Sequence, residues 1–174
     1  MNKNSRWIIS ITIMAFIITI IFSLGSQFIL RDVHLITSIL VIMLFIFIGV
    51  IFDIIGVAVQ SSDKTVFHAM ASRKVKNAKT AKKMLENSAK VSSFCNDVIG
   101  DICNIISGSA GIVVANSISN KYSFSLTITT LIITSLIAAL TIGGKAVGKG
   151  IAVNKSEYIV NKTSKIIHIF KRRK

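Results

Sequence analysis

The sequence predicts an all-α integral membrane domain, with four transmembrane helices and an amphipathic cytoplasmic helix between the second and the third. Three observations predict it. Of 174 residues, 52% are hydrophobic and 16% charged, whereas a soluble domain is roughly 45–50% apolar with about a quarter of its residues charged. The mean hydropathy is +0.68, and the charges are gathered into blocks rather than dispersed. Four apolar runs are each long enough for the roughly 20 helical residues that a bilayer core requires. Hydrocarbon offers no water to backbone groups, so the spans must be helices that satisfy their own N–H and C=O groups.

The first run extends from Trp7 to about Leu30, with Trp7 as an interface anchor. "MNKNSR" followed by an apolar stretch and "FSLGSQ" also fits a cleaved signal peptide. The run exceeds the usual signal core, so residues 1–34 are read as an additional, retained span or signal anchor. The second run covers Leu35 to about Gln60 and carries Asp53. In "TVFHAMASRKVKNAKTAKKMLEN", Phe67, Met70, Ala71, Val75, Ala78, Ala81 and Leu85 recur every three or four residues. Lys76, Lys79 and Lys83 fall on another face. This pattern predicts an amphipathic helix over 64–88, lying along the inner leaflet or packing on the rest of its own domain. The third span covers about Ser93 to Ser117 and the fourth about Phe124 to Gly144. A basic tail, 145–174, repeats the amphipathic theme.

Charge sets the orientation. Residues 61–92 carry eight Lys or Arg and residues 145–174 carry nine, while the turns Arg31–His34 and Ile118–Ser123 hold one each. The positive-inside rule places both basic regions, and with four spans both termini, in the cytoplasm of a cell-membrane protein. The net charge of +14 is thereby assigned to topology and to anionic lipid of the inner leaflet, not to nucleic acid.

Chemistry-bearing residues are few. "GGKAVGKG" (143–150) nearly spells a phosphate-binding loop, but Gly150 stands where Ser or Thr must hold magnesium, and a membrane helix precedes it where a strand is required. Its glycines are expected to break the fourth helix or let it pack closely. His34, His68 and His168 are scattered, and Cys95 and Cys103, eight apart, read as inert packing. No nucleophile–base pair or ligand triad emerges, so no enzyme is expected. Asp53, Asp97 and Asp101 are the sharper signal. An ionised carboxylate near the bilayer centre costs at least about 2.5 kcal/mol, which favours a place facing the bundle interior or a water cavity. Asp97, Asp101, Asn104, Gly108, Gly111 and Ala115 form one helical stripe, largely opposite Ile99, Ile102 and Ile106. Oxygen groups of this kind suit a hard cation. A structural polar contact between helices, or an Asp97 solvated or paired with Lys90 at the cytoplasmic end, is the alternative.

The order of elements resembles the membrane domain of the CorB/CorC/CNNM family of divalent-cation transporters. Phe52, Asp53 and Ala58 stand for its "F-S-x-S-E-T-A" segment, and "NAKTAKKMLEN" (77–87) is similar to its "G-A-x-x-A-x-x-L-L-E-N" helix. "VIGDICNII" (98–106) resembles its "I-G-N…N" helix, and "GKAVGKGIAVNKSE" (144–157) its "G-E-I-x-P-K-x-x-A…N-P-E" stretch. The resemblance covers roughly residues 40–170. It implies transport of Mg²⁺ or Co²⁺ by a homodimer, with the ion held dehydrated by serine and asparagine oxygens. The serine position falls on Ile55, the first asparagine on Gly100 and the second on Asn104; Lys145 replaces the Glu and Gly148 the Pro. Asp53, Asp101 and Asn104 are therefore the candidate metal ligands. The chain is expected to be a stand-alone, diverged domain without the family's CBS pair and C-terminal domain. The competing expectation is a non-transporting scaffold or accessory subunit that binds anionic lipid or a cytoplasmic partner.

Overall fold

The computed structural model describes residues 3–30, 35–73 and 75–172. Met1, Asn2, the expected turn Arg31–His34, Lys74 and the last two residues of "KRRK" lie outside the described residues. Every element among those described is a helix: α1 (Lys3–Leu30), α2 (Leu35–Ser61), α3 (Lys64–Ser72), α4 (Ala78–Glu86), α5 (Ser88–Ser93), a π-helical segment (Phe94–Gly100), α6 (Asp101–Tyr122), α7 (Leu126–Asn154) and α8 (Ser156–Arg172). Among the described residues four stretches are long and apolar enough to span a bilayer: Trp7–Gly25, Leu35–Ser61, Ser88–Tyr122 and Leu126–Asn154, with mean hydropathies of 2.5, 3.1, 1.7 and 2.0. The expected all-α membrane class is what the chain adopts. The absence of proline leaves each span free to run unbroken. Hydroxyls inside the spans satisfy themselves on the preceding turn, as Ser107 Oγ does on the Cys103 carbonyl at 2.8 Å and Thr141 Oγ1 on that of Ile137 at 2.8 Å. This is the arrangement that a low-dielectric surround demands.

The chain divides into two compact units. The first comprises Met1–Val50 and Val98–Gly144. Ile42 and Ile46 of α2, Ala110 and Val114 of α6 and Ile137 of α7 form one of its cores. Small residues let the helices approach there: a Cβ on Gly111 would lie 2.5 Å from Ile137 Cδ1, well inside the roughly 3.5–4.0 Å of carbon–carbon contact. A second core sets Val98, Ile102 and Ile106 against Ile11, Ala15 and Ile18 of α1 and Phe45 of α2. The N-terminal helix is thus packed onto α6, although none of its described side chains is fully buried. At the turn between α6 and α7, Ser123 adopts a left-handed conformation (φ 55°), and Ser119 Oγ donates to the Phe124 carbonyl at 2.6 Å.

The second unit comprises Ile51–Asp97 and Lys145–Lys174. Its core gathers Ala58 and Val59 of α2, Phe67 of α3, Ala81, Met84 and Leu85 of α4, Ala152 of α7 and Val160 of α8. Over 64–88, where periodicity predicts one helix, the structure forms α3 and α4. Asn77 explains the break. Its backbone carbonyl accepts from Thr80 and Ala81 and so starts α4. Its buried side chain donates to Asn161 Oδ1 at 2.6 Å and to Ser164 Oγ at 2.8 Å, both on α8. The apolar stripe is spent inside this unit rather than left open: Phe67, Ala78, Ala81 and Leu85 are each at most 1% exposed, while Val75, between the two helices, is 40% exposed.

Candidate functional site

The helix that starts at Ser88 reaches Tyr122 without a break, but from Phe94 to Gly100 it winds as a π-helix. Such turns hold an extra residue, displace side chains from the regular register and recur at functional sites. Asn96 lies within it. Its Nδ2 donates to Ser92 Oγ, one turn back, at 3.3 Å. Its Oδ1 is buried and has no hydrogen-bond partner among the described residues. Leaving such an acceptor unmatched costs about 1–3 kcal/mol, so this oxygen is poised for a donor or a cation.

What confines the Asn96 amide is Gly56 on α2. A Cβ at Gly56 would overlap Asn96 Oδ1 and lie 2.7 Å from its Cγ and 3.1 Å from its Nδ2. The amide occupies the space that any other residue at 56 would fill. Asp53, half-buried, precedes Gly56 by three residues and hence by about one turn on a neighbouring face of α2.

The other two expected ligands are placed differently. Asp101 and Asn104 are both exposed, three residues apart on α6, as is Asp97 in the π-helical turn. Asp53 belongs to the second unit, Asp101 and Asn104 to the first. The polar stripe, expected to face inward, does so only further along, where Gly111 and Ala115 are buried. The opposite, isoleucine face takes the core at Ile102 and Ile106 because α1 packs there. Among the described residues no three His, Cys, Asp or Glu side chains gather into a metal centre. The oxygens present on these helices, amide and carboxylate, are of the kind that suits a hard cation.

"GGKAVGKG" lies within α7 and is helical throughout. Its backbone amides are engaged in the helix and cannot cradle a phosphate. The helix does not break at these glycines; the expected close packing occurs at Gly144, where a Cβ would lie 2.9 Å from Val50 Cγ2. Cys95 and Cys103 are buried thiols.

Neither Asn96 nor Gly56 occupies a ligand position of the resembled motifs in their best register. A signal for Asn96 was present: it stands four residues before Gly100, so a register one turn earlier would put the first asparagine of the resembled pair on it. Gly56 carried none, because its role is to leave space.

The family model described as the cyclin M (CNNM) transmembrane N-terminal domain matches residues 39–172, well over half of the chain. The chain belongs to the CNNM family. Comparison with curated proteins and with solved structures finds no match. As a CNNM domain it is a multi-pass membrane protein related to divalent-cation transporters, in a family associated with transport rather than catalysis. The CNNM match begins inside α2, so α1 lies outside it.

Proposed function

We propose that this CNNM domain carries a divalent cation, Mg²⁺ foremost and Co²⁺ as its analogue, across the cell membrane, with both termini in the cytoplasm. The observation that carries the reading is the buried, unpartnered Asn96 Oδ1 beside Gly56 at the π-helical turn. That oxygen is the chain's own ligand for the ion. Asp53, a turn from Gly56, supplies negative charge without displacing the ion's remaining waters, which Mg²⁺ gives up reluctantly.

Asp101 and Asn104 enter as a second pair of oxygens on the exposed face of α6. A charge open to lipid is costly, which favours a second copy of the chain over lipid as the cover for this face. The protein therefore works as a homodimer, with no catalytic step.

The test is Mg²⁺ influx into proteoliposomes, followed with an entrapped Mg²⁺ dye, alongside growth of a magnesium-transport-deficient strain. Asn96→Leu should lower flux by about tenfold or more, since even outer-shell partners of metal ligands are worth that much. Asn96→Asp should retain part of it. Asp101→Ala and Asn104→Ala report on the second pair. Flux unchanged in Asn96→Leu removes the proposed ligand, and absence of flux in the correctly inserted native chain removes transport itself.

A further inference from the structure

The second unit bears a groove that the cation reading does not use. It has a volume of about 580 Å³ and lies between α4, α5 and α8. Lys79 and Lys83 rise from one face of α4, four residues apart, and Lys90 from the first turn of α5; all three are exposed. Buried Met84, half-buried Val91 and exposed Ile167 supply its apolar wall, and no carboxylate lines it among the described residues. Lys90 and Val91 also belong to the span Ser88–Tyr122, so the wall of the groove continues into a membrane helix. A ligand that fits must be anionic at one end, apolar at the other, and present at the bilayer surface.

We propose that this groove holds the headgroup of an anionic phospholipid. The phosphate sits among Lys79, Lys83 and Lys90, and the glycerol and upper acyl chain lie along Met84, Val91 and Ile167. Ammonium groups bind phosphate as point charges without a fixed fork, which suits mobile headgroups. The lipid enters sideways from the leaflet, because Val91 is part of the spanning helix itself. An acidic protein segment would complement the lysines but not the apolar wall.

The test uses the full chain in phosphatidylcholine nanodiscs doped with phosphatidylglycerol, with retained lipid read by native mass spectrometry. The native chain should retain phosphatidylglycerol over phosphatidylcholine. A basic side chain at the bilayer surface contributes about 1 kcal/mol, or about fivefold in affinity. Lys79→Gln, Lys83→Gln and Lys90→Gln should each weaken retention by about that factor, and together by about a hundredfold. An equal loss of charge elsewhere, at Lys149, Lys155 and Lys165, should leave it within twofold. Should the triple variant not fold, the single substitutions carry the comparison. Equal losses from the two sets would overturn the proposal in favour of diffuse attraction. Displacement of the lipid by inorganic phosphate would overturn it in favour of a site for a soluble anion, and equal retention of phosphatidylglycerol and phosphatidylcholine would overturn it outright. Flux is not among the readouts, so failure here and failure of transport are distinguishable.

Discussion

Replacing Gly56 by alanine should destabilise this protein, although alanine is the better helix former. The substitution adds one methyl group in the middle of α2, where the Gly-to-Ala change alone is worth about 1 kcal/mol in favour of the helix. Here the new Cβ would overlap Asn96 Oδ1 and stand 2.7 Å from Cγ and 3.1 Å from Nδ2. Ordinary contact needs about 3.5–4.0 Å, so the whole amide must swing aside by about an ångström. That costs about 1–3 kcal/mol as overpacking and sacrifices the Asn96–Ser92 hydrogen bond, worth about 1 kcal/mol. The expected net loss is about 1–3 kcal/mol, read by SDS-titrated unfolding in mixed micelles. Asn96→Ala supplies the decisive background. With the amide gone the clash is gone, and Gly56→Ala should then stabilise by up to about 1 kcal/mol, giving a coupling of about 1–4 kcal/mol between the two positions. A Gly56→Ala variant as stable as the native chain, or one that loses as much in the Asn96→Ala background, would show that Asn96 does not fill that space.

Three further outcomes are expected. Asn77→Leu should cost about 1–3 kcal/mol, because it strands buried acceptors on α8 that the Asn77 amide serves; faster proteolysis within α8 would report it. Ser123→Gly should stabilise by about 0.5–1 kcal/mol in the same micelle titration, since the φ of 55° strains any side chain and suits glycine. Asp63 caps α3 through a hydrogen bond accepted from the Thr65 amide at 2.8 Å; that bond, and then the Thr65 hydroxyl, hold its carboxyl below its ordinary 3.8. A folded-state pKa below the unfolded one means that the cap's contribution is complete above that ordinary value and is lost as pH falls through the lower, folded one. Amide protection in α3, measured relative to the intrinsic exchange rate at each pH, should therefore fall in acid for the native chain, and already at neutral pH for Asp63→Ala.

Much of the architecture was open to inspection in the residues themselves. Bilayer thickness turns hydropathy into length, so the apolar runs at Trp7, Leu35, Ser93 and Phe124 announced four spans without reference to any partner. The three- and four-residue spacing of Phe67, Ala78, Ala81 and Leu85 marked an apolar helical face, and all four are fully buried. The break between α3 and α4 was not visible, because the periodicity of Phe67 to Leu85 continues through it. The cause is a long-range bond from Asn77 to α8, eighty-odd residues away.

The candidate site divides along the same line. Sequence alone determined which carboxylates and amides fall on which helix, since Asp101 and Asn104 share a face by periodicity. It could not say which face the fold would cover. Tertiary packing decided that: α1 lies on Ile102 and Ile106 and leaves Asp101 and Asn104 exposed, while α2 brings Gly56 against Asn96. Local spacing is a property of one helix and is written in the chain. An unpartnered oxygen is a property of everything packed around it, and only the assembled helices could create one.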